Sequence, residues 1–576
     1  MTLKMIPRYK ITAPDPRIVR RLQTALGCDP IMATVLTNRG FKTETGVRTF
    51  LHPALSDLRP PFSLKDMTPA VTRITQALKR QEKILIFGDY DVDGVTSTAL
   101  LSGFLRHAGA DVSTHIPHRI EDGYSLSADF IAKKAVPGGI DLIITVDNGS
   151  TSHEAVDQAR SAKIDVIIVD HHVIVPPYPD ALAVINPKRA DCPAGLADLA
   201  GVGVAFALLI CLRKYLRDRG FWQDRPEPNL KNDCDLVALG TVADMVPLRR
   251  DNRILTQAGL DIIRRHRRRP GLQALVETAG ISADALNAED IAFRLAPRIN
   301  AAGRMAHADI ALSLLTAEDP ADITARVRHI EELNTRRRET QKQLFNRVQT
   351  DIAAHPDRLD GASLVLWGEN WPEGVLGIVA AHLLREYHRP VVLISTRNGK
   401  GRGSARSLPG FDLYRGLTAC RDTLLGYGGH ALAAGVTVDT HNLENFRKQF
   451  ERAAQEAAAT APFATDTPVD AEISLNDISE KLLDELETLA PFGAANREPL
   501  FLARDVAIVS SRIVGRHHLS LRLRQRSKVP GRTFQGIHFN IDPEKTVPKT
   551  YDQIVFRVGW NNWNQTRTPR IIIEAV

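Results

Sequence analysis

Between residues 84 and 187 the apolar positions fall in unbroken runs: ILIF, LIITV, DVIIV and AVI, with VSTHIP among them. Runs without period-2 alternation suit strands buried on both faces, and helix-like stretches separate them, so the pattern predicts a parallel α/β sheet. From about 197 to 350 the pattern turns helical. It ends in ADITARVRHIEELNTRRRETQKQLFNRVQTDI, which has no Gly or Pro and reads as one long connecting helix. A second α/β unit begins near ASLVLWG (362–368) and takes in RPVVLIS, GKGRGSARSLPG and GYGGHALAAG. Alanine-rich sequence punctuated by proline at 453–468 marks a boundary. Beyond it RDVAIV, HLSLRLR, FQGIHFN, QIVFRVGW and PRIIIEAV are short alternating strands with turn signals between them, as in a small β-barrel.

At 576 residues the chain exceeds one core, and several domains are expected. We divide it into an N-terminal segment (1–60), a parallel-sheet domain (61–255), a helical connector (256–350), a second α/β domain (351–460) and a terminal barrel (468–576). A net charge of +7 permits a polyanionic partner without requiring one. Five scattered cysteines with no CxxC pair read as reduced thiols, not as a disulfide or zinc framework. The longest apolar run, VAFALLICL, is far too short to span a bilayer, and no signal peptide is evident, so a cytoplasmic protein is expected.

Carboxylates collect where the apolar runs end. Asp89, Asp91 and Asp93 follow ILIFG; Asp147 ends LIITVD; Asp170, His171 and His172 end DVIIVD; Asp244 follows LVALGTVA. In open α/β sheets ligands bind at the carboxyl ends of strands, so these groups converge on one edge. One such Asp alone is usually a turn or cap residue. Four sites recurring in the same way point instead to a shared function. Bare carboxylates held together repel unless cations balance them. Oxygen ligands with a few imidazoles suit Mn²⁺ or Mg²⁺. Two ions about 4 Å apart can share one carboxylate and activate a water for in-line attack on phosphorus.

DYDVDG, VDNG, VDHH and VADMVPL, in this order, resemble the four motifs of the DHH phosphoesterase superfamily. APRINAAGRM, GVLGIVA, GSARSLPGFDL, GYGGHALAAG and LAPFGAANREPLF narrow the resemblance to the RecJ family of single-stranded-DNA exonucleases, over nearly all the chain after about residue 40. The resemblance implies a parallel-sheet DHH domain, a DHH-associated domain and an OB-fold barrel. It implies two-metal hydrolysis of single strands from the 5′ end to 5′-mononucleotides, in DNA repair and recombination. Carried over by motif, Asp89, Asp91, Asp93, Asp147, His171 and Asp244 are the candidate ligands, with Asp147 bridging. His172 then faces the scissile phosphate, and Asp170 orients a histidine ring. The family's end pocket maps to Arg119, Tyr124, Asn300, Arg304, Ser404 and Arg406, with Ser404 and Arg406 of GSARS expected in a glycine-rich loop whose amides hold phosphate. Gly428, Gly429 and His430 are expected at a loop-to-helix junction whose amides bind phosphate. Pro372 stands where the family commonly has histidine, and Trp371 is left as a stacking candidate.

On the terminal barrel, Arg512, Arg516, His517, His518, Arg522, Arg524 and Lys528 lie on and around one hairpin, as single-strand binding would need. The RRHRRR run at 264–269 reads as a solvated helix end. A helicase and a single-strand-binding protein are the partners the resemblance implies, and a monomer is expected. Relatives that cleave short RNA, cyclic dinucleotides or pyrophosphate generally lack the barrel, and the intact motifs argue against a non-catalytic DNA-binding relative.

Overall fold

The computed structural model describes residues 9–265, 269–460, 463, 466–515, 517–527, 531–541, 547–563 and 566–576. The chain divides into two units, one of residues 58–464 and one joining residues 6–57 to 465–576.

The first unit begins with the expected parallel sheet. Strands β1 (Lys83–Phe87), β2 (Asp111–His115), β3 (Leu142–Val146), β4 (Asp165–Val169) and β5 (Ala183–Ile185) lie in the order β2-β1-β3-β4-β5. Every residue of β3 is buried, as an unalternated apolar run requires. The strand order reverses between β1 and β3, the crevice where open α/β sheets hold ligands. Helix α1 (Val92–His107) starts at once after β1 because Asp91 caps it, accepting from the amides of Asp93 and Gly94 at 2.9 and 3.2 Å. Helices α2 (Gly201–Arg217) and α3 (Cys234–Ala243) pack on α1. The VAFALLICL run falls inside α2, apolar almost all round because it is buried. Asp244 therefore ends a helix, as its C-cap, and not a strand.

Helix α4 (Ala296–Met305) precedes the long helix α5 (Pro320–Ala354), which Asp319 caps and proline opens. In the second sheet β6 (Leu364–Glu369), β7 (Val391–Arg397), β8 (Lys400–Arg406), β9 (Leu424–Gly429) and β10 (Ala433–Asp439) take the order β9-β10-β8-β7-β6. Helix α6 (Glu373–Tyr387) packs on β7 and β8.

Three local expectations are corrected here. GSARS is not a loop: Ser404 and Arg406 lie on β8. Its glycine serves packing, since a Cβ on Gly403 would come within 2.7 Å of the side chains of Ile394 and Val436. Gly428 and Gly429 end β9, and His430 turns into β10, donating its amide to Ala433 O at 2.8 Å. No helix starts there, so the helix-amide reading of this motif fails. Trp371 is 5% exposed within the core of β6, β7 and α6, which removes it as a base-stacking platform.

The second unit is built on a closed five-stranded barrel of β11 (Phe501–Val514), β12 (His518–Gln525), β13 (Thr533–His538), β14 (Thr550–Trp563) and β15 (Thr566–Ala575). The first half of β11 pairs with β14 and its second half with β12, which closes the barrel. Along β12 Leu519, Leu521 and Leu523 point inward, while Arg522 and Arg524 point out. Helices Pro16–Leu26, Pro30–Asn38 and Glu44–Leu51 share the barrel's core through Leu22, Met32, Val35, Leu36 and Val47.

Each of these large side chains contributes about 1.5–3 kcal/mol when fully buried. A chain cut after residue 464 loses the barrel and leaves all of them uncovered. It should bind a hydrophobic dye and aggregate on size-exclusion chromatography, whereas a chain cut to 58–464 should stay monodisperse. Equal behaviour of the two would show that the N-terminal helices need no barrel.

Candidate active site

The carboxylates meet at the sheet's switch point. Three groups of side chains bring their ligand atoms within 4.8 Å of one another: Asp89, Asp91 and Asp147; Asp147, His171 and His172; and Asp93, His171 and Asp244. Nε2 of His171 lies 3.2 Å from Asp147, 3.6 Å from Asp244 and 3.8 Å from Asp93. Asp147 belongs to two of the groups. Its backbone is left-handed (φ 63°).

Helix ends and close approaches hold this cluster together. Asp93 accepts from the amides of Gly201 and Val202 at 2.6 and 2.8 Å, so a carboxylate from α1 caps the bare N-terminus of α2. A Cβ on Gly201 would stand 2.6 Å from Oδ1 of Asp147. One on Gly240 of α3 would stand 2.9 Å from Oδ1 of Asp93. Asn148 ties the strand ends, donating to Phe87 O and Val146 O at 3.2 and 2.9 Å. Asn186 donates to Ser150 Oγ and His172 O, both at 2.8 Å. Reading the sequence missed these supports, because a glycine or asparagine within an apolar run does not reveal which distant side chain it meets.

Burial and mutual repulsion raise the acids. Asp89 and Asp147 sit well above the carboxylate range, through burial and then Asp91 and Asp93 respectively. Asp93 is pushed to about 7 by burial and Asp91, and Asp244 to about 8 by burial and Asp93. Burial and the charge of His172 lower His171 to about 3, leaving it neutral, as a metal ligand must be. Oδ1 of Asp89, Oδ1 of Asp147 and Nε2 of His171 are buried with no hydrogen-bond partner among the described residues. Buried polar atoms are normally satisfied. An orphaned set of carboxylate oxygens and one neutral imidazole fits a hard divalent cation.

His172 differs from its neighbour. Burial opposes its charge, but the hydrogen bond to Asp170 (2.7 Å) and that residue's charge outweigh it and hold His172 at about 9. Asp170 also accepts from the amides of Ser150 and His171, and it is held well below the usual range against its own burial. The Tyr124 hydroxyl is 3.3 Å from Nδ1 of His172, and the His430 ring stacks on His172 at 5.9 Å and 14°.

Beside the acids lies a cavity of about 660 Å³ lined by Tyr90, Arg119, Tyr124, Arg304, Ser404 and Arg406, with Gly429 also on its wall. Burial first, then Arg119, Arg406 and Arg337, lower Arg304 to about 9. Burial and Arg119 lower Arg406. Arg304 donates to Gly374 O at 3.0 Å and Arg406 to Ala405 O at 2.8 Å, so both arginines are held by neutral groups. Such clustered guanidiniums form a ready anion site. Arg337, on α5, acts on Arg304 only through its charge: it does not line the cavity and bonds to Asn334 and Gln341 of its own helix. Asn300 does not line this cavity.

On the barrel Arg512 and Arg522 are exposed on adjacent strands and His518 is partly exposed. Arg516 and Lys528 lie outside the described residues, as does the centre of the RRHRRR run. Arg269 of that run is not free, being paired with Asp233 and Asp235.

A parallel sheet with acids and histidines at its switch point, next to an anion pocket, defines a metal-dependent phosphoesterase of the DHH class. Residues 83–241 match the DHH family, N-terminal domain, and 360–456 the DHHA1 domain. Residues 469–575 match the RecJ OB domain. The chain is 34% identical over 570 residues to the single-stranded-DNA-specific exonuclease RecJ of Bacillus subtilis, covering 98% of this chain and 70% of that protein. It superposes on RecJ of Thermus thermophilus in complex with Mn²⁺ with a TM-score of 0.82 at 30% identity, over 98% of this chain and 79% of that one. For the same protein with Mg²⁺ the TM-score is 0.74 at 29% identity, over 98% and 78%. The chain belongs to the RecJ family.

The close approach of α2 to the acids can be tested directly. Gly201→Ala should displace the Asp147 carboxylate, cutting Mn²⁺ affinity and single-turnover hydrolysis by about 100-fold, on the scale of a misplacement of about 1 Å. Calorimetric Mn²⁺ titration and circular dichroism test this; tight Mn²⁺ binding by a folded variant would refute it. A second expectation concerns pH. Acids whose folded pKa is raised stabilise the metal-free fold at low pH, and this contribution is lost as pH rises through about 7 for Asp93 and about 8 for Asp244. Metal competes with those protons. The Mn²⁺-induced rise in Tm should therefore be small near pH 6 in wild type, grow as those acids deprotonate, and vanish in Asp147→Asn. A rise independent of pH would count against these acids as the ligands.

Proposed function

We propose that this chain is a single-stranded-DNA exonuclease that hydrolyses from the 5′ end and releases 5′-mononucleotides, serving DNA repair and recombination. The observation that carries this reading is the juxtaposition of two opposite charge clusters in one unit, buried carboxylates beside clustered arginines. The names of the matching proteins support the same substrate.

Asp89, Asp91, Asp147, His171, Asp93 and Asp244 would hold two divalent cations, Mn²⁺ or Mg²⁺, with Asp147 shared between them. When bound, the cations supply Lewis-acid activation of water and offset charge on the scissile phosphate. His172, kept protonated by Asp170, donates a hydrogen bond to a phosphate oxygen and favours the more highly charged transition state. Arg119, Arg304, Arg406 and Ser404 hold the terminal phosphate, and Tyr124 stands between that pocket and His172. Arg512, Arg522 and His518 on the barrel bind single-stranded DNA in this reading, and their exposure on adjacent strands supports this.

In this reading the enzyme acts as a monomer on strands that a helicase opens and a single-strand-binding protein holds, in the cytoplasm. No helix among the described residues is long and apolar enough to cross a membrane.

Arg406→Ala and Arg119→Ala should each lower kcat/KM on 5′-phosphorylated single strands by about 10- to 100-fold, as loss of a charge-assisted bond of roughly 1.5–3 kcal/mol requires. Ends bearing 5′-hydroxyl should lose far less. Rates on oligonucleotides differing only in that group provide the measurement. Equal losses on both would move these arginines out of the end pocket, and digestion of duplex as fast as single strands would overturn the substrate assignment.

A further inference from the structure

We propose that Tyr90 is a positioning residue that sets the spacing between the end pocket and the metal cluster, and so fixes the product at one nucleotide. This rests on the reading above that Arg119, Arg304, Ser404 and Arg406 hold the terminal phosphate.

Tyr90 is flanked in the chain by Asp89 and Asp91, so its backbone belongs to the acid cluster. Its side chain belongs to the pocket. The Arg119 guanidinium lies over its ring at 4.6 Å. The ring meets Tyr124 edge-on at 6.4 Å and 71°. Tyr124 reaches on to His172, with ring centroids 5.8 Å apart.

The rest of the pocket is stacked on Tyr90 through glycines. A Cβ on Gly303 of α4 would stand 2.6 Å from Tyr90 O and 3.5 Å from Tyr90 Cβ. Only glycine lets α4, with Arg304 as its next residue, settle there. A Cβ on Gly374 of α6 would strike Arg304 O at 2.3 Å, so α6 rests on α4 in the same way. One turn further along α6, a Cβ on Gly377 would lie 2.6 Å from the Arg406 guanidinium and 2.8 Å from Ser404 Oγ. Arg304 therefore takes its position from Tyr90 through α4, Arg406 through α4 and then α6, and Arg119 packs on the Tyr90 ring.

An enzyme that releases single nucleotides must hold the terminal phosphate one repeat from the bond it breaks. Here one residue, Tyr90, has its backbone in the acid cluster and its ring in the pocket. Loosening that joint lets the strand advance further before hydrolysis, so the second phosphodiester reaches the acids. The reaction is the same hydrolysis by water, at the next phosphorus.

The test uses the full chain with Mn²⁺ and 3′-labelled or internally labelled single strands bearing 5′-phosphate or 5′-hydroxyl, with products separated by length. Wild type should release mononucleotides and prefer the phosphorylated end. Tyr90→Leu should lose about 100-fold in kcat/KM on phosphorylated ends, as a misplacement of about 1 Å does. It should also lose its end preference and release dinucleotides beside mononucleotides. Tyr90→Phe should restore both the preference and the single-nucleotide register. Gly303→Ala keeps the ring but lifts α4, and should also release dinucleotides; it decides the matter if Tyr90→Leu fails to fold or to bind Mn²⁺. Slower cleavage to mononucleotides alone in both disruptive variants, with end preference kept, would overturn the assignment of Tyr90. A wild type indifferent to the 5′ group would overturn the pocket reading, and this inference with it.

Discussion

Five carboxylates gathered around one neutral, buried imidazole is the constraint on which the rest of this unit depends. Held without cations they repel, and burial adds to the cost of charging each one. The fold offsets part of this with a helix N-terminus, which gives two backbone amides to Asp93. The left-handed backbone of Asp147 adds a further cost, of order 1–3 kcal/mol at such a site. The remaining repulsion favours cation binding: a cluster that is unfavourable when bare gains most when two divalent ions enter it.

The arginine pocket is the opposite case. Burial first, and then neighbouring guanidiniums led by Arg119, make protonation of Arg304 and Arg406 less favourable, while both bond to neutral groups. Under the proposed function a nucleic-acid end would satisfy both clusters at once, its terminal phosphate meeting the arginines and its first diester the cations. His172, in the acid cluster beside Asp147 and His171, is held protonated by Asp170. The glycines at 201, 240, 303, 374 and 377 share one purpose: each lets a helix approach a charged group or a backbone more closely than any Cβ allows.

The barrel obeys a simpler rule. Period-2 alternation on β12 sends leucines inward and arginines outward, so one strand both builds the core and displays charge. The three N-terminal helices complete that core, although more than 400 residues separate them from the barrel in the chain. A basic outer face on a small barrel suits a long polyanion, whose affinity grows with each phosphate neutralised.

The sequence by itself determined the strands, their parallel order of burial and the candidate metal set, because these depend on local runs and on residues placed where a run ends. Asp89, Asp147 and His171 were legible for that reason. The long helix was legible because nothing in its 35 residues breaks it. Glycine-rich segments misled: GSARS and GYGG read as loops, yet they are strands in which glycine makes room for Ile394, Val436 and Ala434. Trp371 read as a surface platform and is core. Tertiary structure alone decided that Asp93 caps α2, that Gly201 supports Asp147, that Tyr90 carries Arg119, and that residues 6–57 join the barrel. Each of these is a contact between residues far apart in the chain or on different elements, and no local pattern of hydrophobic and polar positions encodes which distant surface a side chain will meet.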